Sequence, residues 1–337
     1  MNTLLTAVPS KPDTDTDTDL LGSLPVAGDI EGALALARSL GRRLAFPGDG
    51  TTANQWGLLS AIAAHDLGIV RAIEPHLDAI AILTQAGVEP LPGVWGVFAS
   101  EGSPDPLVAS QTATGWTLAG TKRWCSLAAQ LDYALVTART RTGKSRLFTL
   151  DLRAAGVSVL DPDWAALGLR EIPSGAVRCS SVPADGVGAS GWYLARPGFA
   201  WGGIGVAACW FGGAVALGRS VRKVAAKSRN PHLLAHLGAI DTLLYACQVS
   251  LNDAAHQADR QEPGGKLAAW RVRGLVARAC EEIILRTGHA LGPGPLAQDP
   301  EHAKRVADLT LYIRQHHGEA DEAKQGQAIA GFGSTPW

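Results

Sequence analysis

The sequence predicts a multi-domain α and β protein with an N-terminal helical domain, a central β-barrel domain and a C-terminal helical bundle. Three observations predict this order. From Asp29 to about Gly87 apolar residues recur at three and four, the spacing that lines one face of a helix. Between Val94 and about Val182 the period shortens to that of strands, interrupted by Gly, Pro, Asp and Ser. After Pro197 the helical period returns, in runs bounded by Gly or Pro. The expected boundaries are a disordered tail at 1–26, the helical domain at 27–90, the barrel at 91–195, the bundle at 196–328 and a second tail at 329–337.

The first helical region reads DIEGALALARSLGRRLAF and then one long run, ANQWGLLSAIAAHDLGIVRAIEPHLDAIAILTQAG. Strands are expected at WGVFAS, WTLAGTKRW, YALVTAR, RLFTLDL and GAVRCSSV. Their close spacing suits a compact barrel or sandwich. The bundle is expected from AACWFGGAVALGRSVRKVAAKSR, HLLAHLGAIDTLLYACQVSLNDAAHQADR, GKLAAWRVRGLVARACEEIILRTGHAL and EHAKRVADLTLYIRQHHGEADEAKQG. Ahead of all this, Asp13, Asp15, Asp17 and Asp19 alternate with Thr. That alternation reads as a solvated tail, because a calcium loop would also need its Gly and terminal Glu.

Composition narrows the function classes. The 337 residues are 46% hydrophobic and 18% charged, with a formal net charge of −1 from 30 basic and 31 acidic residues. Bulk charge therefore favours neither nucleic acid nor an anionic membrane, and the expected partner is a small molecule or another protein. Five cysteines stand singly, without a CxxC pair or an even disulfide framework, which implies a reducing, cytoplasmic compartment. Phe199–Gly218 is uncharged and long enough to span a membrane. Its Gly and Ala content suits a closely packed buried helix better than lipid. Gly203, Gly205 and Ala208 form only part of a dinucleotide fingerprint, with no strand before them. His232 and His236 have one-turn spacing but no third ligand, so no metal site is expected.

The most specific signals lie in the middle region. GVFASEGSPDP resembles a shortened Thr-Glu-Pro-Gly-x-Gly-Ser-Asp loop, and GWTLAGTKRWCSLAAQLDYALVTA resembles the Gly-Lys-x-Trp-Ile-Thr strand pair of the acyl-CoA dehydrogenase superfamily. Looser matches are DLGIVRAIEPHLDAI in the first region and GHALGPGPLAQDPEHAKRVADL near the end, which is similar to the family's Gly-Gly-x-Gly loop and the helix after it. The resemblance covers about Leu58 to Gly326. It implies FAD as cofactor, with Phe98, Ser100, Ser103, Trp124, Cys125, Ser126, Gly292 and Gly294 at the binding positions. Trp124 would wall the isoalloxazine, Ser126 would match the hydroxyl near flavin N5, Ser100 the one near the pyrimidine edge, and Ser103 the serine of the phosphate loop. An aromatic wall with a few donors is what such a ring system needs. Read without the family, Trp124 fits a strand's core position and Cys125 a small buried hydrophobe.

The resemblance also implies a function, α,β-dehydrogenation of an acyl thioester with hydride transfer to flavin N5. Its implied partners are acyl-CoA, an electron-transfer flavoprotein or another acceptor, and copies of itself in a homodimer or homotetramer, or a heteromer; its implied setting is fatty acid metabolism. The family's catalytic glutamate is not matched. Gln315, His316 and His317 fall at its usual position, and Ala200–Gly203 at the alternative one. His316 is the candidate base, with Glu319 on the same helical face to orient it. Where the family commonly has Arg-x-x-Phe-Gly, the chain has Arg229 without the aromatic and the glycine. Two alternatives follow: a flavin oxidase or monooxygenase of the same fold, and a non-catalytic subunit of a heteromeric acyl-CoA dehydrogenase.

Overall fold

The structure, a computed structural model, describes residues 20–41, 46–161 and 163–333. The Asp/Thr alternation, Arg42 to Ala45 of the first helical run and the last four residues lie outside the described residues. Packing begins before residue 27: Leu20, Leu21 and Leu24 lie against the core, and His65 Nε2 is 2.9 Å from Pro25 O.

Helix α1 (Ile30–Leu40) starts at Asp29, whose carboxylate accepts a hydrogen bond from Gly32 N at 2.9 Å. The long run that follows is two helices, α2 (Thr52–His65) and α3 (Leu67–Gln85). Asp66 divides them. Its backbone is extended, and its side chain accepts from Ile69 N at 2.9 Å, so a residue inside the apolar period serves as the N-cap of α3. Pro75 sits within α3 and has no N–H to give the carbonyl of Arg71. Strand β1 (Trp95–Phe98) joins α3 through Trp95 N, which donates to His76 Nδ1 at 3.1 Å. Burial pulls the His76 imidazole down to about 4, so it stays a neutral acceptor.

The remaining strands are β2 (Val108–Thr112), β3 (Gly115–Ser126), β4 (Tyr133–Thr140), β5 (Ser145–Asp151), β6 (Val157–Val159) and β7 (Ser174–Val187). Every expected strand is present, and β2 and β6 are additional. The pairs β4–β2, β2–β3, β3–β7, β7–β5 and β5–β4 close a small barrel, with β1 parallel to β4 and β6 alongside β7. Closure removes the exposed edges of a strand-rich segment. Strand β4 is buried on both faces: Ala134 and Val136 join the main core, and Leu135 joins a second cluster with Ile82 and Leu83 of α3. Hence its apolar run Tyr133-Ala-Leu-Val136.

After the barrel come α4 (Trp192–Ala195), α5 (Pro197–Ala225), α6 (Pro231–Asp259), α7 (Gly265–Leu291), α8 (Gly294–Gln298), α9 (Pro300–Tyr312), a 3₁₀ turn (Ile313–Gln315) and α10 (Glu319–Ala330). The last apolar run is thus split, with Gly318 at positive φ between its halves. Helix α5 is the uncharged helix. Its most apolar window is 78% buried within the fold, although α5 and α6 are both long and apolar enough to cross a membrane. Glycine makes this close packing possible: a methyl at Gly212 would overlap the carbonyl oxygen of Ser60 in α2. Ser60 Oγ in turn donates to Ala208 O at 2.9 Å.

The main core cluster runs through α1–α3, the barrel and the bundle, so the three segments pack on one another. Lys304 ties them together at one edge. Its Nζ lies 2.9 Å from Asp66, 2.6 Å from Glu171 and 2.6 Å from Asp308. These three carboxylates converge closely enough to hold a metal ion, and the ammonium group occupies their centre. Its partners hold Lys304 above the usual lysine range despite burial.

Candidate functional site

A β-bulge builds the first wall of the site. The β3–β7 register slips between Lys122 and Cys125, and Trp124 takes a left-handed backbone at φ 61°. The extra residue re-aims the alternation. Trp124 is turned outward and stays 58% exposed, while Cys125 is turned into the core. A bulky residue at positive φ is strained, and such strain concentrates where an exposed side chain has a task.

The Trp124 indole faces a cavity of about 580 Å³ at the seam between α3, the barrel and the bundle. Ser100 and Ser126 line the same cavity. Arg71 Nη2 donates to Ser126 Oγ at 3.0 Å, Ser126 and Ser174 share a 2.7 Å hydrogen bond, and Ser174 Oγ donates to Ile172 O at 3.1 Å. Because the proton of Ser174 goes to Ile172, the one between the two hydroxyls belongs to Ser126. The relay therefore runs from Arg71 through Ser126 and Ser174 to Ile172.

From α3, Arg71, Glu74 and Asp78, one turn apart on one face, line the same cavity. Glu74 and Asp78 also line an adjoining cavity of about 640 Å³, reached by Arg273 of α7. Burial and the neighbouring Asp78 push the Glu74 carboxyl from 4.5 up to about 7, against the pull of Arg71 and Arg273. Asp78 is raised by burial and partly held down by Arg196, 3.6 Å away. Arg196 Nη1 also donates to Gln85 Oε1 at 2.7 Å. A carboxyl poised near neutral pH beside an exposed aromatic wall can accept and return a proton.

The other expected site residues lie elsewhere. Phe98 and Cys125 are buried in the core. The Cys125 thiol donates to Lys122 O at 3.3 Å, and burial pushes it up to about 12, far from a reactive thiolate. Ser103 bonds Asp105 O within its own loop. Gly292 and Gly294 cap α7 and begin α8, outside both cavities. His316 lies behind the cleft wall, its Nδ1 3.8 Å from Asp321, with burial as the main cause of a lowered pKa. The carboxylates facing it are Asp321 and Glu322, where Glu319 was expected. His317 is the histidine that lines the cleft, with Nδ1 3.3 Å from Asp321.

Arg71, Glu74, Asp78 and Arg273 were not among the sequence candidates. The available signal was local: three charged residues at helical spacing in DLGIVRAIEPHLDAI, a segment otherwise apolar enough to be core.

The acyl-CoA dehydrogenase middle-domain family model matches residues 102–182, which include β3 and its bulge. Butyryl-CoA dehydrogenase from Megasphaera elsdenii superposes with a TM-score of 0.81 at 16% identity, covering 94% of this chain and 98% of that one. A chain described as the electron transferring flavoprotein of Acidaminococcus fermentans gives 0.83 at 13% identity, over 98% and 99%. TdsC from Paenibacillus sp. A11-2, in complex with FMN and indole, gives 0.77 at 16% identity, over 96% and 99%. No curated protein sequence matches the chain. A closed barrel between helical segments, packed on one another with a cavity at their seam, defines a protein of the acyl-CoA dehydrogenase fold. Its middle segment, residues 102–182, matches the acyl-CoA dehydrogenase middle domain, and the whole chain shares the fold of these proteins.

Proposed function

We propose that the chain is a flavin-dependent oxidoreductase whose substrate lies in the cleft between Trp124 and Glu74, with Glu74 as its proton acceptor. The observation that carries this reading is Glu74 itself, a carboxyl raised to about 7 in a cavity also lined by Trp124, Ser100 and Ser126.

The residues present fit a flavin. The exposed indole offers a planar apolar wall, and the hydroxyls of Ser100 and Ser126 stand in the same cavity. Fold relatives were solved with FMN or with FAD. When bound, the flavin supplies hydride acceptance. Above about pH 7 the Glu74 carboxylate is ionised and takes a proton from the substrate carbon facing it. The Arg71 guanidinium, three residues earlier on the same helix face, balances negative charge as it develops. The relay through Ser126 and Ser174 fixes that guanidinium's direction.

In finer terms the reaction we propose is dehydrogenation of an acyl thioester, with Glu74 of α3 in place of the unmatched C-terminal glutamate and electrons passed on to a flavoprotein. The likeness to butyryl-CoA dehydrogenase supports this reading. An oxidase or monooxygenase reaction is the second reading, supported by the likeness to TdsC, a dibenzothiophene monooxygenase. The five cysteines are free and buried, which suits a reducing compartment such as the cytoplasm. The exposed apolar residues Leu234, Tyr245 and Val249 along α6 suit packing against a second copy of the chain.

The deciding experiment is the visible spectrum of the purified protein before and after anaerobic addition of acyl-CoAs. A flavin band that bleaches in the parent and persists in Glu74→Gln is the expected result. A protein that holds no flavin, even after incubation with FAD and FMN, refutes the reading; oxygen uptake without anaerobic bleaching selects the second one.

A further inference from the structure

Two guanidinium groups act on Glu74 in the cleft, and neither is held in an ion pair; the carboxylates that act on Arg273 from a distance are Asp321 and Glu74. Arg71 donates to Ser126 Oγ and lies 5.9 Å above the Tyr312 ring. Arg273 donates to Gly203 O at 2.5 Å and to Gln315 O at 3.0 Å, and lies 4.7 Å from the Trp210 ring centre. These contacts orient both forks through neutral partners. Among the described residues no carboxylate oxygen lies within 4 Å of either group.

The other arginines of the cleft and its lysine at Lys324 are matched. Arg196 has Asp78 at 3.6 Å, Arg314 pairs with Glu281, and Lys324 has Asp321 at 3.1 Å. Lys266, exposed at the wall of the adjoining cavity, adds one more positive charge. The carboxyl on which both guanidinium groups act is Glu74, which is only partly ionised at neutral pH. The cleft therefore holds a surplus of positive charge.

A hydrocarbon chain lying there would cover both guanidinium groups and supply nothing in return, a costly arrangement for a buried charge. A planar carboxylate supplies two acceptor oxygens that match the guanidinium fork. We propose that the substrate carries a carboxylate, seated between Arg71 of α3 and Arg273 of α7 beside Glu74. This rests on the reading of the cleft as a substrate site and makes it specific: the substrate is an acid or an acyl group with an anionic end, not a fatty chain. Arg71 and Arg273 then determine specificity.

The test is calorimetric titration of the purified, full-length protein, its flavin band recorded beforehand, with succinate, succinamate, succinamide and inorganic phosphate. The three organic probes share a carbon skeleton and carry two, one and no carboxylates. Succinate is expected to bind at least tenfold more tightly than succinamide, and more weakly as salt is raised. Arg71→Gln and Arg273→Gln should each lose tenfold or more of that affinity with the folded circular dichroism signal retained. Should either glutamine variant fail to fold, Arg71→Lys and Arg273→Lys keep the charge, lose the fork and are expected to weaken succinate several-fold. Absence of succinate binding, equal binding of acid and amide, unchanged affinity in the variants, or phosphate bound as tightly as succinate overturns the proposal. A protein that discriminates acid from amide yet holds no flavin sinks the oxidoreductase reading alone.

Discussion

Replacing Glu74 by glutamine is expected to make the protein more stable at pH 8 while removing its function. A carboxyl that titrates at 4.5 in the unfolded chain and at about 7 in the folded one disfavours its ionised form in the fold. At 1.36 kcal/mol for each tenfold change in ionisation constant, the two values differ by roughly 3 kcal/mol. Glu74 is only half-buried, so solvent at the cavity reduces this to roughly 1–2 kcal/mol. The sign follows from linkage. Because the folded value is raised, the penalty is absent below about pH 4.5, grows between there and pH 7, and is constant above. The groups that set it are Asp78 on the same helix, which raises the value, and Arg71 and Arg273, which lower it. Glutamine keeps the shape and cannot ionise, so it escapes the penalty. Thermal unfolding of parent and variant at pH 4, 6 and 8 should show coincident midpoints at pH 4 and a variant higher by a few degrees at pH 8. In the parent, flavin reduction should fall as pH drops through about 7, and in the variant it should be slower by about a hundredfold or more. A variant less stable than the parent at pH 8, or an offset independent of pH, refutes the argument.

Lys304→Met removes the cation from three converging carboxylates, two of them almost fully buried, and should cost about 3 kcal/mol in urea unfolding at pH 7. Adding Asp308→Asn should recover part of that loss, with clear non-additivity. Trp124→Ala should leave the unfolding midpoint nearly unchanged, because the side chain is 58% exposed, and lower the flavin-to-protein absorbance ratio after gel filtration. The lost aromatic contact is about 1 kcal/mol beyond area burial. Gly212→Ala drives a methyl into the Ser60 carbonyl and should destabilise by about 3 kcal/mol, read from chemical denaturation, with Gly238→Ala on the open side of α6 as the tolerated control.

Much of the architecture was legible because it rests on local pattern. The strand segments around Trp95, Trp116, Tyr133, Phe148 and Val177 show themselves by period and by the turn residues between them. Strands β2 and β6 are short, five and three residues, with most of their residues exposed or half-buried, too few positions to establish a period. The break at Asp66 was hidden because the apolar period runs straight through it; only its extended backbone and capping bond separate α2 from α3. At the site, Trp124, Ser100 and Ser126 were visible through linked motifs, and the structure brings all three to one cavity. His316 matches the missing glutamate only by position along the chain, and in the fold its neighbour His317 lines the cleft instead.

The sequence by itself determined the order of helices, barrel and bundle and the residues of the aromatic wall, because helical period, strand alternation and a two-part motif are written over neighbouring residues. Tertiary structure alone decided the chemistry of the cleft. The Glu74 carboxyl is raised toward neutral pH only because α3 is buried against the barrel and bundle with Asp78 beside it, while Arg71 and, from α7, Arg273 hold it lower. Desolvation and the sum of charges around a carboxyl depend on what lies near it in space, and those neighbours come from helices far apart in the chain.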